Sequence, residues 1–195
     1  MKEKINPAPF MDRISFKKAQ PVHKRCEVKI LIIENKAILV LVKIFLLVSV
    51  ATLAPLFGQQ FIAGPLVNAA LFISVFLLDK HNAILIGLIP SLIALSVGLL
   101  PAVLAPMIPF VMMGNAILIL TFSYLKDKNF WLGVISASFL KFIFLFFTSS
   151  IVINLLLKKE IAAKVALMMS WPQLLTALSG GLLAYLFLKF FKNNL

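Results

Sequence analysis

One lysine stands where a lysine is costly. Lys141 lies in the run Phe130–Leu157, which holds no other charged residue. It is about eleven residues into that run, roughly 16 Å along a helix axis. In that place an ammonium group can meet an anionic substrate or a partner subunit. Asn68, Asn115, Asn154 and Gln173 are amides in or near other apolar stretches, with Ser149, Ser150 and Thr176 close to them in sequence. Amides in apolar surroundings need partners, so each is expected to face neighbouring helices. Ser150 and Asn154 are four apart and share a helix face. Trp171, Pro172 and Gln173 open the last apolar run. These groups can line one pocket, or they can serve as interhelical hydrogen bonds.

The chemistry open to this set is binding. No Asp or Glu falls within an apolar run, which argues against a carboxylate proton relay or an intramembrane metalloprotease. His23 and His81 stand apart, so a histidine metal cluster is not expected. Cys26, the single cysteine, excludes an internal disulfide and a cysteine-based zinc or iron–sulfur site. It reads as a free thiol, with palmitoylation the alternative. No Walker A motif occurs, so ATP-driven work needs another chain. Neither a catalytic residue nor a resident cofactor is expected.

The elements that must hold these side chains follow from composition. The chain has 195 residues, 62% hydrophobic and 13% charged. A soluble domain carries about 45–50% apolar and about 25% charged residues. The apolar residues arrive in unbroken runs, as in Phe142-Ile143-Phe144-Leu145-Phe146-Phe147. Such runs read as bilayer-spanning helices. The expected fold is all-α, a polytopic bundle of six transmembrane helices over Ala37–Phe57, Phe61–Leu78, Ala83–Leu99, Met107–Leu125, Phe130–Leu157 and Val165–Leu188. Residues 1–36 read as a basic cytoplasmic tail with a short amphipathic piece around Val28–Ile33, and residues 37–195 as the membrane domain. The first apolar run is followed by no cleavage site, so it is read as a span and not a secretory signal.

Charge sets the orientation. The net charge is +12, and nine of the 19 Lys and Arg residues lie in the first 36 positions. Counting the tail, the C-terminus and the connections, fourteen basic residues fall on one side and three on the other, leaving Lys43 and Lys141 within spans. The bias places both termini in the cytoplasm and makes anionic lipid, not nucleic acid, the partner of the positive charge. In this frame Lys43 snorkels to the inner surface. A tilt of the long fifth span that carries Lys141 to the cytoplasmic headgroups is the alternative to an interior role. The outer connections carry no charge around Gly58–Pro65 and Leu100–Pro109. They are rich in Gly and Pro, which free backbone groups that hydrocarbon cannot satisfy. A ligand site is therefore expected on the outer side. Lys158, Lys159 and Lys164 break the bias there, as a solvated loop or as a lure for an anionic ligand.

Six short-looped helices, the Gly/Pro-rich first outer loop and the long last outer loop resemble the substrate-binding S component of bacterial energy-coupling-factor (ECF) transporters. The likeness runs from Phe61 to Tyr185. It rests on Gly64-Pro65-Leu66-Val67-Asn68, Leu88-Ile89-Pro90-Ser91-Leu92, Ala105-Pro106-Met107-Ile108-Pro109-Phe110 and Met169-Ser170-Trp171-Pro172-Gln173. The resemblance implies a subunit of the bacterial plasma membrane that captures a micronutrient such as a vitamin near the outer face. It implies delivery through a transmembrane T component and two cytoplasmic ABC ATPases. It makes Gln59, Gln60 and Phe61 lid candidates, and Asn115, Asn154, Trp171 and Gln173 pocket candidates beside Asn68, Lys141 and Ser150. The alternatives are a self-contained small transporter or facilitator, and a structural or assembly protein whose amides only join helices. Against the former, the chain shows no internal repeat and no intramembrane carboxylate.

Overall fold

The computed structural model describes residues 22–57, 59–96, 102–156, 166–167 and 169–193, with side chains from Ala37 onward except at 55, 94, 102–104, 153–156 and 192–193. The described residues form no strand. The chain divides into two units, Met1–Leu39 and Val40–Leu195. Six long helices occur among the described residues: α1 (Val22–Leu53), α2 (Gln60–Leu77), α3 (Lys80–Ser96), α4 (Ile108–Leu125), α5 (Phe130–Leu156) and α6 (Trp171–Asn193).

Local chemistry explains their limits. Helix α1 is unbroken from Val22, so it takes in much of what the sequence suggested was a separate tail. Between Pro21 and Pro55 the chain has neither Gly nor Pro to stop a helix. Pro55 then tightens the chain into a 3₁₀ turn, Ala54–Phe57. Gln59 is extended, and its carbonyl accepts from the amides of Ile62 (3.1 Å) and Ala63 (2.9 Å) to start α2. A second 3₁₀ turn, Ala102–Met107, leads into α4. There Pro109 occupies the first turn, where its missing N–H costs nothing. The Asn129 side chain caps α5, its Oδ1 accepting from Trp131 N (2.9 Å) and Leu132 N (3.2 Å). Pro172 likewise sits in the first turn of α6, which begins at Trp171; Val165, where the sequence suggested a start, lies outside the described residues.

Four of these helices are long and apolar enough to cross a membrane: Gln60–Leu77, Ala105–Leu125, Phe130–Val152 and Trp171–Phe191. Ala37–Leu53 and Lys80–Ile93 are apolar but shorter. The expectation of six spans is thus met in helix number and only in part in span length. A 17-residue helix such as α3 reaches about 25 Å, less than the roughly 30 Å of a hydrocarbon core.

Helix α2 packs most extensively on α6, α4 on α5 and α3, and α5 also meets α6. Small residues permit these approaches. A Cβ on Gly180 would lie 2.6 Å from Asn68 Cβ and 2.9 Å from the Pro65 carbonyl oxygen, so α6 meets α2 there almost backbone to backbone. On Gly87 it would lie 2.9 Å from Ile119 Cδ1 and 3.3 Å from Asn115 Cβ, which joins α3 to α4. Phe122 on α4 stacks edge-on with Phe72 (4.7 Å between ring centres) and Phe130 (5.5 Å), tying α2, α4 and α5 together.

The surface is the reverse of a water-soluble bundle. Phe45 is 72% exposed, and Leu41, Ile135, Phe147, Leu186 and Phe190 also face outward. Meanwhile a lysine and two asparagines are buried. Broad apolar exposure over an interior that holds these polar groups within an apolar core is compatible with a multi-pass membrane protein.

Candidate functional site

The buried polar residues converge on Lys141. Its position follows from the face of α5 that turns inward: Val134, Ala137, Ser138, Lys141, Leu145, Ser149 and Val152 are all buried, at steps of three and four. Lys141 is 3% exposed. Its Nζ donates to Asn68 Oδ1 of α2 at 2.7 Å and to Asn115 Oδ1 of α4 at 2.8 Å. Both are short, and they are charge-assisted when the amine is protonated. Asn115 Nδ2 donates in turn to the Gly87 carbonyl of α3 at 2.9 Å. That bond fixes which end of the amide faces the ammonium. Four helices therefore meet at one polar node.

Asn68 is held in place from behind, because Gly180 lets α6 press against its Cβ. Asn115 is held by the close α3–α4 approach at Gly87. The amides are 2% and 4% exposed. Among the described residues no carboxylate pairs with Lys141. The two amide oxygens carry partial charge only, so the node keeps a net charge of about +1 when the amine is protonated. A buried ion without a counter-ion costs several kcal/mol even after relaxation. It is also a strong attractor for an anion.

The sequence-derived candidates separate into three groups. Asn68, Asn115 and Lys141 are brought together. Since its Nζ is engaged by amides of α2 and α4, the Lys141 side chain is turned toward those helices. Phe61 and Trp171 form a second contact, with ring centres 5.9 Å apart, where α2 and α6 begin. A lid candidate thus touches a pocket candidate. Trp171 remains 50% exposed. Gln59 is exposed and Gln60 half-buried at the same end of α2. The half-buried Gln173 places Nε2 3.8 Å from Met169 Sδ.

Ser150 is apart from both groups. It is exposed, and its hydroxyl donates to the Phe146 carbonyl of its own helix at 3.1 Å. Nine residues beyond Lys141, it lies about 180° around the helix at 100° per residue. The side chain of Asn154 lies outside the described residues, as do Lys158, Lys159 and Lys164.

Two groups were not singled out from sequence. One is the Gly87 carbonyl, which no side-chain pattern could indicate. The other is Ser138, fully buried, whose hydroxyl has no hydrogen-bond partner. Its spacing of three residues from Lys141 was a usable signal. No group of three or more potential metal ligands occurs among the described residues.

The groove of about 450 Å³ between α5 and α6, lined by Trp131, Val134, Ile135, Leu178, Ser179 and Leu182, shares no residue with the node. Its wall is almost wholly apolar, as suits a surface facing lipid chains. No protein-family model matches the chain, and no curated protein or solved structure does either.

Proposed function

We propose that this chain is a membrane-embedded solute-capture subunit, of the kind that serves as the S component of an ECF-type micronutrient importer. It lies in a bacterial plasma membrane with both termini in the cytoplasm. The observation that carries the reading is the Lys141 node, a buried ammonium held by Asn68 and Asn115 with no carboxylate beside it. A merely structural polar contact is made at lower cost by two amides alone; a cation suits a site that receives a guest.

In this reading solute enters from the outer side, between the beginnings of α2 and α6. The contact between Phe61 and Trp171 opens to admit it. Lys141 supplies the attraction, while Asn68 and Asn115 hold the ammonium in one place before the solute arrives. That preorganisation lowers the cost of binding. Transport energy comes from a T component and two ABC ATPases.

Affinity purification in mild detergent tests the proposal. Recovery of a T component with ATPase subunits supports it, and transport by the lone chain in liposomes contradicts it. A second reading, helix assembly, has one observation in its favour: the node joins four helices. It predicts that Lys141 variants lose the fold, where the capture reading predicts that they lose only the solute.

A further inference from the structure

From the Lys141 node together with Ser138, we infer that the solute is a monoanion, of the carboxylate class, gripped by both side chains. This deepens the solute-capture reading and rests on it. Ser138 precedes Lys141 by three residues on the same buried face of α5, a spacing that puts the two Cβ atoms about 5–6 Å apart. Its hydroxyl is fully buried and has no partner. The other buried hydroxyls near the bundle interior do have one: Ser74 donates to the Leu71 carbonyl (2.6 Å), Ser149 to that of Phe146 (2.9 Å) and Thr176 to that of Gln173 (3.1 Å). Serines within helices ordinarily satisfy themselves in this way. Ser138 does not, and it is the one such buried side-chain atom among the described residues.

Lys141 offers a matching group. An ammonium carries three N–H donors, and the two amide oxygens take two of them. A carboxylate has two acceptor oxygens on one carbon, suited to one N–H of Lys141 and the Ser138 hydroxyl. Charge selects the class. The ammonium is balanced by one negative charge, whereas a dianion would leave a buried excess and a neutral solute would leave the cation uncompensated. No bond is made or broken; the solute is bound and released.

Formate, the smallest carboxylate, probes the site without regard to the shape of the natural solute. Protein in nanodiscs carrying ¹⁵Nζ-labelled lysine is titrated with formate and, separately, with formamide; Lys141→Met identifies the Lys141 resonance. Formate is expected to shift that resonance saturably and formamide to leave it in place. Ser138→Ala, which removes an unpaired hydroxyl and should fold, is expected to raise the half-saturating formate concentration about three- to tenfold. Absence of a saturable shift, an equal response to formamide, or an unchanged half-saturation in Ser138→Ala overturns the inference. If the protein still co-purifies with a T component in any of these cases, solute capture stands and only the monoanion is lost.

Discussion

Asn115 faces Lys141 with its oxygen because its nitrogen is already committed to the Gly87 carbonyl, 2.9 Å away on α3. This makes the polar node directional. Removing Lys141 and removing Asn115 should therefore have unequal effects. Lys141→Met deletes the buried charge at similar length, leaving amide oxygens unmet at about 1–3 kcal/mol each but relieving an ion desolvation of several kcal/mol. Its net effect on stability is expected to stay within about 2 kcal/mol. Asn115→Leu strips one oxygen from the ammonium and the donor from Gly87, and should cost about 3–5 kcal/mol. The double variant should be less damaged than the sum. Reversible unfolding in mixed micelles checks all three.

A second prediction concerns how α6 holds Asn68. Gly180→Ala would put a methyl group 2.6 Å from Asn68 Cβ and 2.9 Å from backbone atoms of Ala69 and Pro65. Backbone cannot yield as a side chain can, so the helices must separate, at about 1–3 kcal/mol. The nearest atoms to a methyl group in Gly114→Ala all belong to the flexible Leu145 side chain, the closest at 3.2 Å. It should cost less than about 1 kcal/mol. The same unfolding assay ranks the pair, and equal effects would reject the account of the α2–α6 contact.

Much of the fold was legible because apolar runs and prolines act locally. The α4 and α5 limits fall within a residue or so of those read from sequence, since Pro109 and Asn129 mark where those helices start. Helix α1 runs back through Lys24, Arg25, Lys29 and Lys36 to Val22 because charge does not stop a helix, and it ends at Pro55, while its apolar part starts at Ala37. At α3 the described helix is apolar but shorter than a span, so the structure shows four spanning lengths among six helices.

The site was half legible. Polar residues stranded in apolar runs must find partners, which pointed to Lys141, Asn68 and Asn115. Which partners they find depends on helix rotation and neighbour order, and no single run records these. Ser150 was drawn in by its proximity to Asn154, although helical periodicity puts it opposite Lys141. Ser138, on the buried face of α5 that carries Lys141, was passed over because serine is unremarkable in an apolar helix until its hydroxyl is seen to lack a partner.

The outer contact yields a third prediction. Phe61 covers one side of the Trp171 ring at 5.9 Å. In a variant with Trp131→Phe, so that Trp171 alone emits, Phe61→Ala should increase quenching by acrylamide and speed solute release about two- to tenfold. An unchanged release rate would remove Phe61 from the gate.

Orientation supplies a fourth. With Cys26, the single native cysteine, replaced by serine, cysteines placed at Lys2 and Lys192 should resist an impermeant maleimide in whole cells. One placed at Lys159 should react. Labelling at either terminus would invert the positive-inside assignment.

The most direct test is native mass spectrometry of the protein released from nanodiscs, wild type beside Lys141→Met. The account predicts a retained small molecule on the wild type, absent from a folded Lys141→Met. The same molecule retained equally by both would show that the buried ammonium does not hold the solute.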